Sequence, residues 1–125
     1  MEAAQIAQLA ATAADEKKAE DVVILDMRQL TPIADYFVIC SASSRMQVQA
    51  IARFVQERLA AAEVDLQRRE GADGAGWILL DYGMVVVHVF LDQLRTYYDL
   101  ERLWSDAPRV MGVVATQEME PATGP

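Results

Sequence analysis

Trp77-Ile78-Leu79-Leu80-Asp81-Tyr82-Gly83-Met84-Val85-Val86-Val87-His88-Val89-Phe90-Leu91 decides the fold. Two runs rich in β-branched and aromatic residues flank Gly83-Met84. A two-residue connection with glycine first fits a type II′ hairpin turn. That loop fixes the register: Tyr82 faces Val85, Asp81 faces Val86, Leu80 faces Val87, Leu79 faces His88, Ile78 faces Val89 and Trp77 faces Phe90. Side chains alternate between the two faces of a sheet. One face therefore carries Ile78, Leu80, Val85, Val87 and Val89, with Tyr82 near its edge, and is expected to lie under helices. The other carries Trp77, Leu79, Asp81, Val86, His88 and Phe90.

Outward from the hairpin, helices and strands alternate. Residues 3–17 are Ala-rich, with Ile6, Leu9, Ala10 and Ala13 at helical spacing. Asp21–Arg28 is short, β-branched and strand-like, and Thr31-Pro32 marks a turn or a single helical turn, with Pro at a first helical position. Ala34–Ala42 reads as a second strand. Ser44 can cap the next helix, with Gln47 completing a capping-box pattern, and Val48, Ile51, Ala52, Val55, Leu59 and Ala62 form its apolar stripe. Val64–Glu70 is expected to be a third strand, and Gly71, Gly74 and Gly76 mark a loop. After the hairpin, Leu94–Trp104 reads as one short helix. The order predicts an α/β architecture: a mixed sheet of about five strands with flanking helices. Residues 1–106 are expected to form one domain and residues 107–125 a mobile tail, with some local contact at Val110–Val114.

Composition bounds the function. The chain has 125 residues, 53% of them hydrophobic, and a formal net charge of −8. That length suits one domain with a core that needs no staple. Phosphate binding needs clustered Lys and Arg, so free nucleic acid and anionic membranes are poor partners and a basic protein is a suitable one. The single cysteine, Cys40, allows no internal disulfide and reads as a core thiol. No apolar stretch reaches membrane-helix length, and Met1-Glu2-Ala3-Ala4 opens neither a signal nor a transit peptide. A cytoplasmic protein is expected.

The second hairpin face mixes aromatics with an acid and the only histidine. It is expected to be a docking surface for another macromolecule, because interfaces favour Trp and Tyr. The alternative is that another helix of the same chain covers it. Met84 at the turn and Tyr97, Tyr98, Leu100, Glu101 and Trp104 beyond the hairpin are counted with this surface.

The residues carry a resemblance. The stretch from Trp77 to Phe90, followed by Tyr98-Asp99-Leu100-Glu101-Arg102-Leu103-Trp104, resembles the signature of the ribosomal silencing factor family, also called Iojap-like or RsfS proteins. Lys18-Ala19-Glu20-Asp21-Val22, Ala34-Asp35-Tyr36-Phe37-Val38-Ile39-Cys40-Ser41 and Ser44-Arg45-Met46-Gln47-Val48 resemble its first half. The likeness spans residues 3–106. Met84 departs from the acid common after the hairpin glycine, and the loop 71–76 is plainer than the family's. The resemblance implies a nucleotidyltransferase-like fold without the enzyme's catalytic motif. It also implies binding to ribosomal protein L-fourteen on the large subunit, obstruction of small-subunit joining, and damped translation under nutrient limitation. A second copy of the chain is an alternative occupant of the same surface.

Enzyme chemistry finds little support. Ser41-Ala42-Ser43-Ser44 opens a helix but lacks the glycine that a nucleotidyltransferase uses, and no Asp-x-Asp pair follows. Asp26, Asp35 and Asp81 lie on or beside strands and could converge. The alternative is that Asp35 orders a turn and Asp81 meets a cation or a backbone donor. His88 has no second histidine or cysteine near it in sequence for a metal, and no partner nucleophile. No cofactor and no metal are expected.

Overall fold

In the computed structural model, which describes residues 1–72 and 74–110, the hairpin is the middle of a five-stranded sheet. The elements are α1 (Ala3–Glu16), β1 (Glu20–Asp26), β2 (Tyr36–Ala42), α2 (Arg45–Ala61), β3 (Arg68–Glu70), β4 (Trp77–Asp81), β5 (Val85–Leu91), α3 (Asp92–Tyr98) and α4 (Leu100–Leu103). Strand order is β1-β2-β5-β4-β3; β2 and β5 run parallel and the other neighbours antiparallel. The expected mixed sheet is therefore present. The β4–β5 register agrees pair for pair with the alternation argument, from Trp77↔Phe90 to Asp81↔Val86. Tyr82 N–H donates to the Val85 carbonyl at 2.9 Å. Gly83 has φ +89° while Met84 is not left-handed, the pattern of a type II′ turn.

α1 and α2 cover one face. Ala7, Ala10, Ala11 and Ala14 of α1 and Val48, Ile51, Ala52, Val55 and Leu59 of α2 close over Ile24, Val38, Cys40, Ile78, Leu80, Val87 and Val89. Alanines let α1 approach the sheet closely, which explains a buried helix face without large side chains. Cys40 is fully buried there, and desolvation pushes its thiol up to about 12, so it is an inert core group.

Four expectations change at element ends. Ser44 caps α2 through Gln47 N–H, but the Gln47 side chain donates to the Lys17 carbonyl at 2.6 Å, tying α2 to the end of α1 instead of closing the capping box. The third strand shrinks to Arg68–Glu70, because Val64 and Leu66 leave the sheet edge to pack on the helical-side core. The single helix expected over Leu94–Trp104 is two, α3 and α4, divided at Asp99 with φ 50° and ψ 53°. Asp tolerates this left-handed conformation better than most residues. The break lets Leu100 and Trp104 turn down onto the sheet. Finally, packing continues past Asp106. Ala107 is buried, Asp26 N–H donates to the Pro108 carbonyl at 2.8 Å, and Val110 N–H donates to Ile24 at 2.9 Å. This segment caps the outer edge of β1, as unpaired edges require cover. The tail expected from residue 107 thus loses its first four residues to the domain; residues 111–125 lie outside the described residues.

One loop contact is tight enough to test. Gly71 has φ +101°, and a Cβ there would sit 2.5 Å from the Trp77 carbonyl oxygen. Gly71→Ala is expected to destabilise by about 2 kcal/mol, from left-handed strain plus displacement of the β4 backbone. Urea unfolding measures it, and an unchanged midpoint would show that the loop relaxes freely.

Candidate functional site: an aromatic docking face

The sheet face opposite α1 and α2 carries a row of rings. Tyr97 meets Tyr98 at 5.1 Å between centroids, and Tyr98 meets Trp77 at 4.7 Å. Trp77 then approaches His88 at 5.9 Å, His88 meets Phe37 edge-on at 4.8 Å, and Phe37 meets Trp104 at 6.2 Å. Phe90 lies against Trp77 at 4.8 Å. Such tilted and edge-on contacts suit the ring quadrupoles. Five elements assemble the row: β5 and β4 by their register, β2 by alternation, and α3 and α4 by folding back.

Burial divides the row. Val86, His88 and Phe90 are buried, Phe90 completely. Phe90 joins Leu25, Met27, Ile39 and Ala107 in a second, smaller core, with Phe37, Trp77, Leu94, Leu100 and Trp104 packed around it. The notion of one open aromatic face is therefore corrected in part. The chain's own α3, α4 and Ala107 cover its centre, since leaving Phe90 wet would forfeit ~1.5–3 kcal/mol of burial. Trp77, Leu79, Asp81, Leu100, Glu101 and Trp104 are half-buried. Met84, Tyr98 and Tyr97 are exposed at 50%, 47% and 78%. Leu103, at 68%, extends the exposed apolar patch, and a groove lined by Thr96, Tyr97, Tyr98, Asp99, Arg102 and Leu103 runs between α3 and α4. A small cleft of Glu70, Gly71, Trp77 and Leu79 lies on the β4 side.

Phe37 had no place among the expected surface residues. The signal was available: alternation along β2 puts Phe37, Ile39 and Ser41 opposite Val38 and Cys40. Arg95 was likewise unmarked, yet it anchors α3 and α4. Its Nε and Nη2 donate to the two Glu101 oxygens at 3.0 and 2.9 Å, and its Nη1 donates to Ser41 Oγ at 3.0 Å and the Glu20 carbonyl at 3.2 Å. The Arg95 guanidinium lowers the Glu101 carboxyl below its ordinary range. Glu101 is thus engaged within the chain, with Arg109 as a second cation at 3.7 Å.

Two of the strand acids, Asp81 and Asp26, are similarly occupied. Asp81 Oδ1 accepts the Gly83 N–H at 2.8 Å, and its second oxygen lies 3.7 Å from Arg68. Asp26 holds Arg28 through two side-chain bonds of 2.9 and 2.7 Å, and that pairing lowers its carboxyl. Among the described residues no group of three His, Cys, Asp or Glu is placed to hold a metal. No helix among them is long and apolar enough to cross a membrane.

His88 is a packed, neutral ring. Its Nδ1 accepts the Trp77 indole N–H at 3.2 Å, and its Nε2 is buried without a partner. Burial pushes its pKa down to about 4.

Comparison with known proteins identifies the family. The family described as ribosomal silencing factor during starvation, RsfS, matches residues 1–124. The chain belongs to the ribosomal silencing factor family. It is 48% identical over 103 residues to the ribosomal silencing factor RsfS of Bacillus subtilis, covering 82% of this chain and 87% of that one. A crystal structure of a Chromobacterium violaceum protein superposes with a TM-score of 0.82 at 40% identity, covering 84% of this chain and 88% of that one. A second, from Bacillus halodurans, gives a TM-score of 0.76 at 44% identity, covering 86% and 97%. Membership in this family places the chain among regulators of translation that act at the ribosome.

Proposed function

We propose that this ribosomal silencing factor docks on the large ribosomal subunit through ribosomal protein L-fourteen, occupies space the small subunit needs, and so represses translation in the cytoplasm when nutrients are scarce. The L-fourteen contact follows from the family resemblance of Trp77–Phe90 and Tyr98–Trp104. The observation that carries it to these residues is the uncovered strip: Tyr97 and Tyr98 exposed on α3, and Trp77 and Leu79 half-covered on β4; Met84, exposed at the far turn of the hairpin, borders the start of α1 instead. A fold that closes Phe90 and His88 under its own chain leaves that strip open, and exposed apolar patches of this kind mark interaction sites. The net charge of −8 suits a basic ribosomal protein and speeds the encounter. The mechanism is occupancy and requires no chemical step, so repression follows mass action.

Purified protein is expected to co-sediment with isolated large subunits and to reduce their joining with small subunits. Leu79→Ala and Tyr97→Ala are expected to weaken that binding about tenfold each, the scale of 1.4 kcal/mol per anchor, with native far-UV CD. Full binding by both variants would move the interface off this strip. Light scattering across a dilution series separates a second copy on the same strip, which would appear as a dissociating dimer.

A further inference from the structure

A cleft of about 200 Å³ opens on the β4 part of the docking strip, lined by Glu70, Gly71, Trp77 and Leu79. Register builds its walls. Glu70 pairs with Leu79 across β3–β4, so their side chains stand side by side on the aromatic face, and Trp77 shares that face two residues before Leu79. Arg69 turns the other way, towards α2, where it donates to Gln56 and Gln49 at 2.7 and 3.3 Å. The cleft thus has an apolar wall of two half-buried side chains and a carboxylate at its rim. It is smaller than the ~300–1,000 Å³ of small-molecule pockets and suits one long side chain. The Glu70 side chain is 56% exposed, and Arg68 Nη1 meets it at 2.8 Å. Arg68 is equally open and also lies 3.7 Å from Asp81. An ion pair this exposed contributes little, so another cation can replace Arg68 on Glu70 at small cost.

We propose that this cleft receives a lysine or arginine side chain of the docked protein, its aliphatic stem against Trp77 and Leu79 and its charge on Glu70. The proposal rests on the docking reading above and specifies the chemistry of one part of the strip. Long cationic side chains lay their stems on apolar surface while the charged head stays at a polar rim, which matches the wall and rim here. A tryptophan in the wall adds attraction for a cation. The net charge of −8 acts in the same sense from a distance. When the incoming cation takes Glu70, Arg68 keeps Asp81, so neither charge of the internal pair is stranded. An acidic side chain entering the cleft would meet Glu70 as a like charge, so the cleft selects for a basic one.

The test compares Glu70→Gln with Arg68→Gln in the full chain, measuring affinity for isolated large subunits at low and high salt. Glu70→Gln is expected to lose about tenfold at low salt, and the loss should shrink at high salt as screening grows. Arg68→Gln is expected to gain about threefold, because it removes the competing cation. Glu57→Gln, an exposed acid on α2 across the sheet from the strip, should bind like the parent. Both β3 variants abolish the same internal ion pair. If that pair served only to hold β3, both would weaken binding alike, and the proposal would be overturned. Leu79→Ala is measured alongside. If it binds fully, the docking surface itself is misplaced; if it binds weakly while Glu70→Gln binds like the parent, the surface stands and the cation in the cleft falls.

Discussion

Phe90→Ala is expected to cost 3–5 kcal/mol of folding stability, in the range of about 3–5 kcal/mol typical for deleting a buried aromatic ring. Phe90 is fully buried and stands where the smaller core meets the aromatic row. Trp77 lies 4.8 Å from it and Tyr98 6.4 Å, so the cavity would open directly beneath the docking strip. Close-packed interiors relax only partly around such a void. Chemical unfolding should show the loss as a lower midpoint, and ribosome binding should weaken because Trp77 loses its support. Tyr97→Ala supplies the contrast. Tyr97 is 78% exposed, so its removal should leave the midpoint within about 0.5 kcal/mol and act on binding alone. If Phe90→Ala unfolds at the parental midpoint, the smaller core does not hold the strip, and the division of the face into support and contact is wrong.

That division marks the border of what the sequence reveals. The hairpin register was legible because two turn residues and a period of two determine it completely: glycine first in the loop sets the turn, and every pair follows. The helical side was legible for the same reason, with Val48, Ile51, Val55 and Leu59 repeating at helical spacing. Coverage of the opposite face was not. Phe90 and Ile78 both look like strand hydrophobics, and only the return of Leu100, Trp104 and Ala107 from the chain's end closes over Phe90. That return depends on Asp99 adopting a left-handed conformation in a stretch whose propensities favour one continuous helix. No local signal announces it, since Arg95, paired with Glu101, holds the bend through contacts to Ser41 and Glu20, 54 and 75 residues from Arg95 in the chain. Phe37 is a different case. Its face followed from alternation along β2, but its importance followed only from the parallel pairing of β2 with β5, which sets it beside Val86 and against His88.

Acid should unfold the protein in two stages, and the same face supplies both. The folded chain withholds a proton from His88 until about pH 4, whereas an unfolded chain accepts it near the ordinary value of ~6.5. Between those values the unfolded state binds more protons, so stability falls as pH drops, by about 3 kcal/mol across the window. Glu101 acts lower down. Its carboxyl is depressed chiefly by the hydrogen bonds from Arg95, so its contribution is complete above the ordinary ~4.3 and is lost as pH falls through the folded value. His88→Phe should flatten the first limb and leave the second. Glu101→Gln should reduce the second and leave the first, the remainder belonging to Asp26, whose carboxyl Arg28 lowers in the same way. Arg95→Met tests the clamp directly. The Arg95 side chain is 11% exposed, and its loss takes both hydrogen bonds from Glu101 and leaves it only the longer Arg109 pair, so about 2 kcal/mol should disappear at neutral pH. Hydrogen exchange should accelerate first at Leu100–Leu103, because the bend at Asp99 then keeps only the longer Glu101–Arg109 pair. If the first limb survives in His88→Phe, the proton taken up belongs to another group and the buried, neutral imidazole is not what resists it.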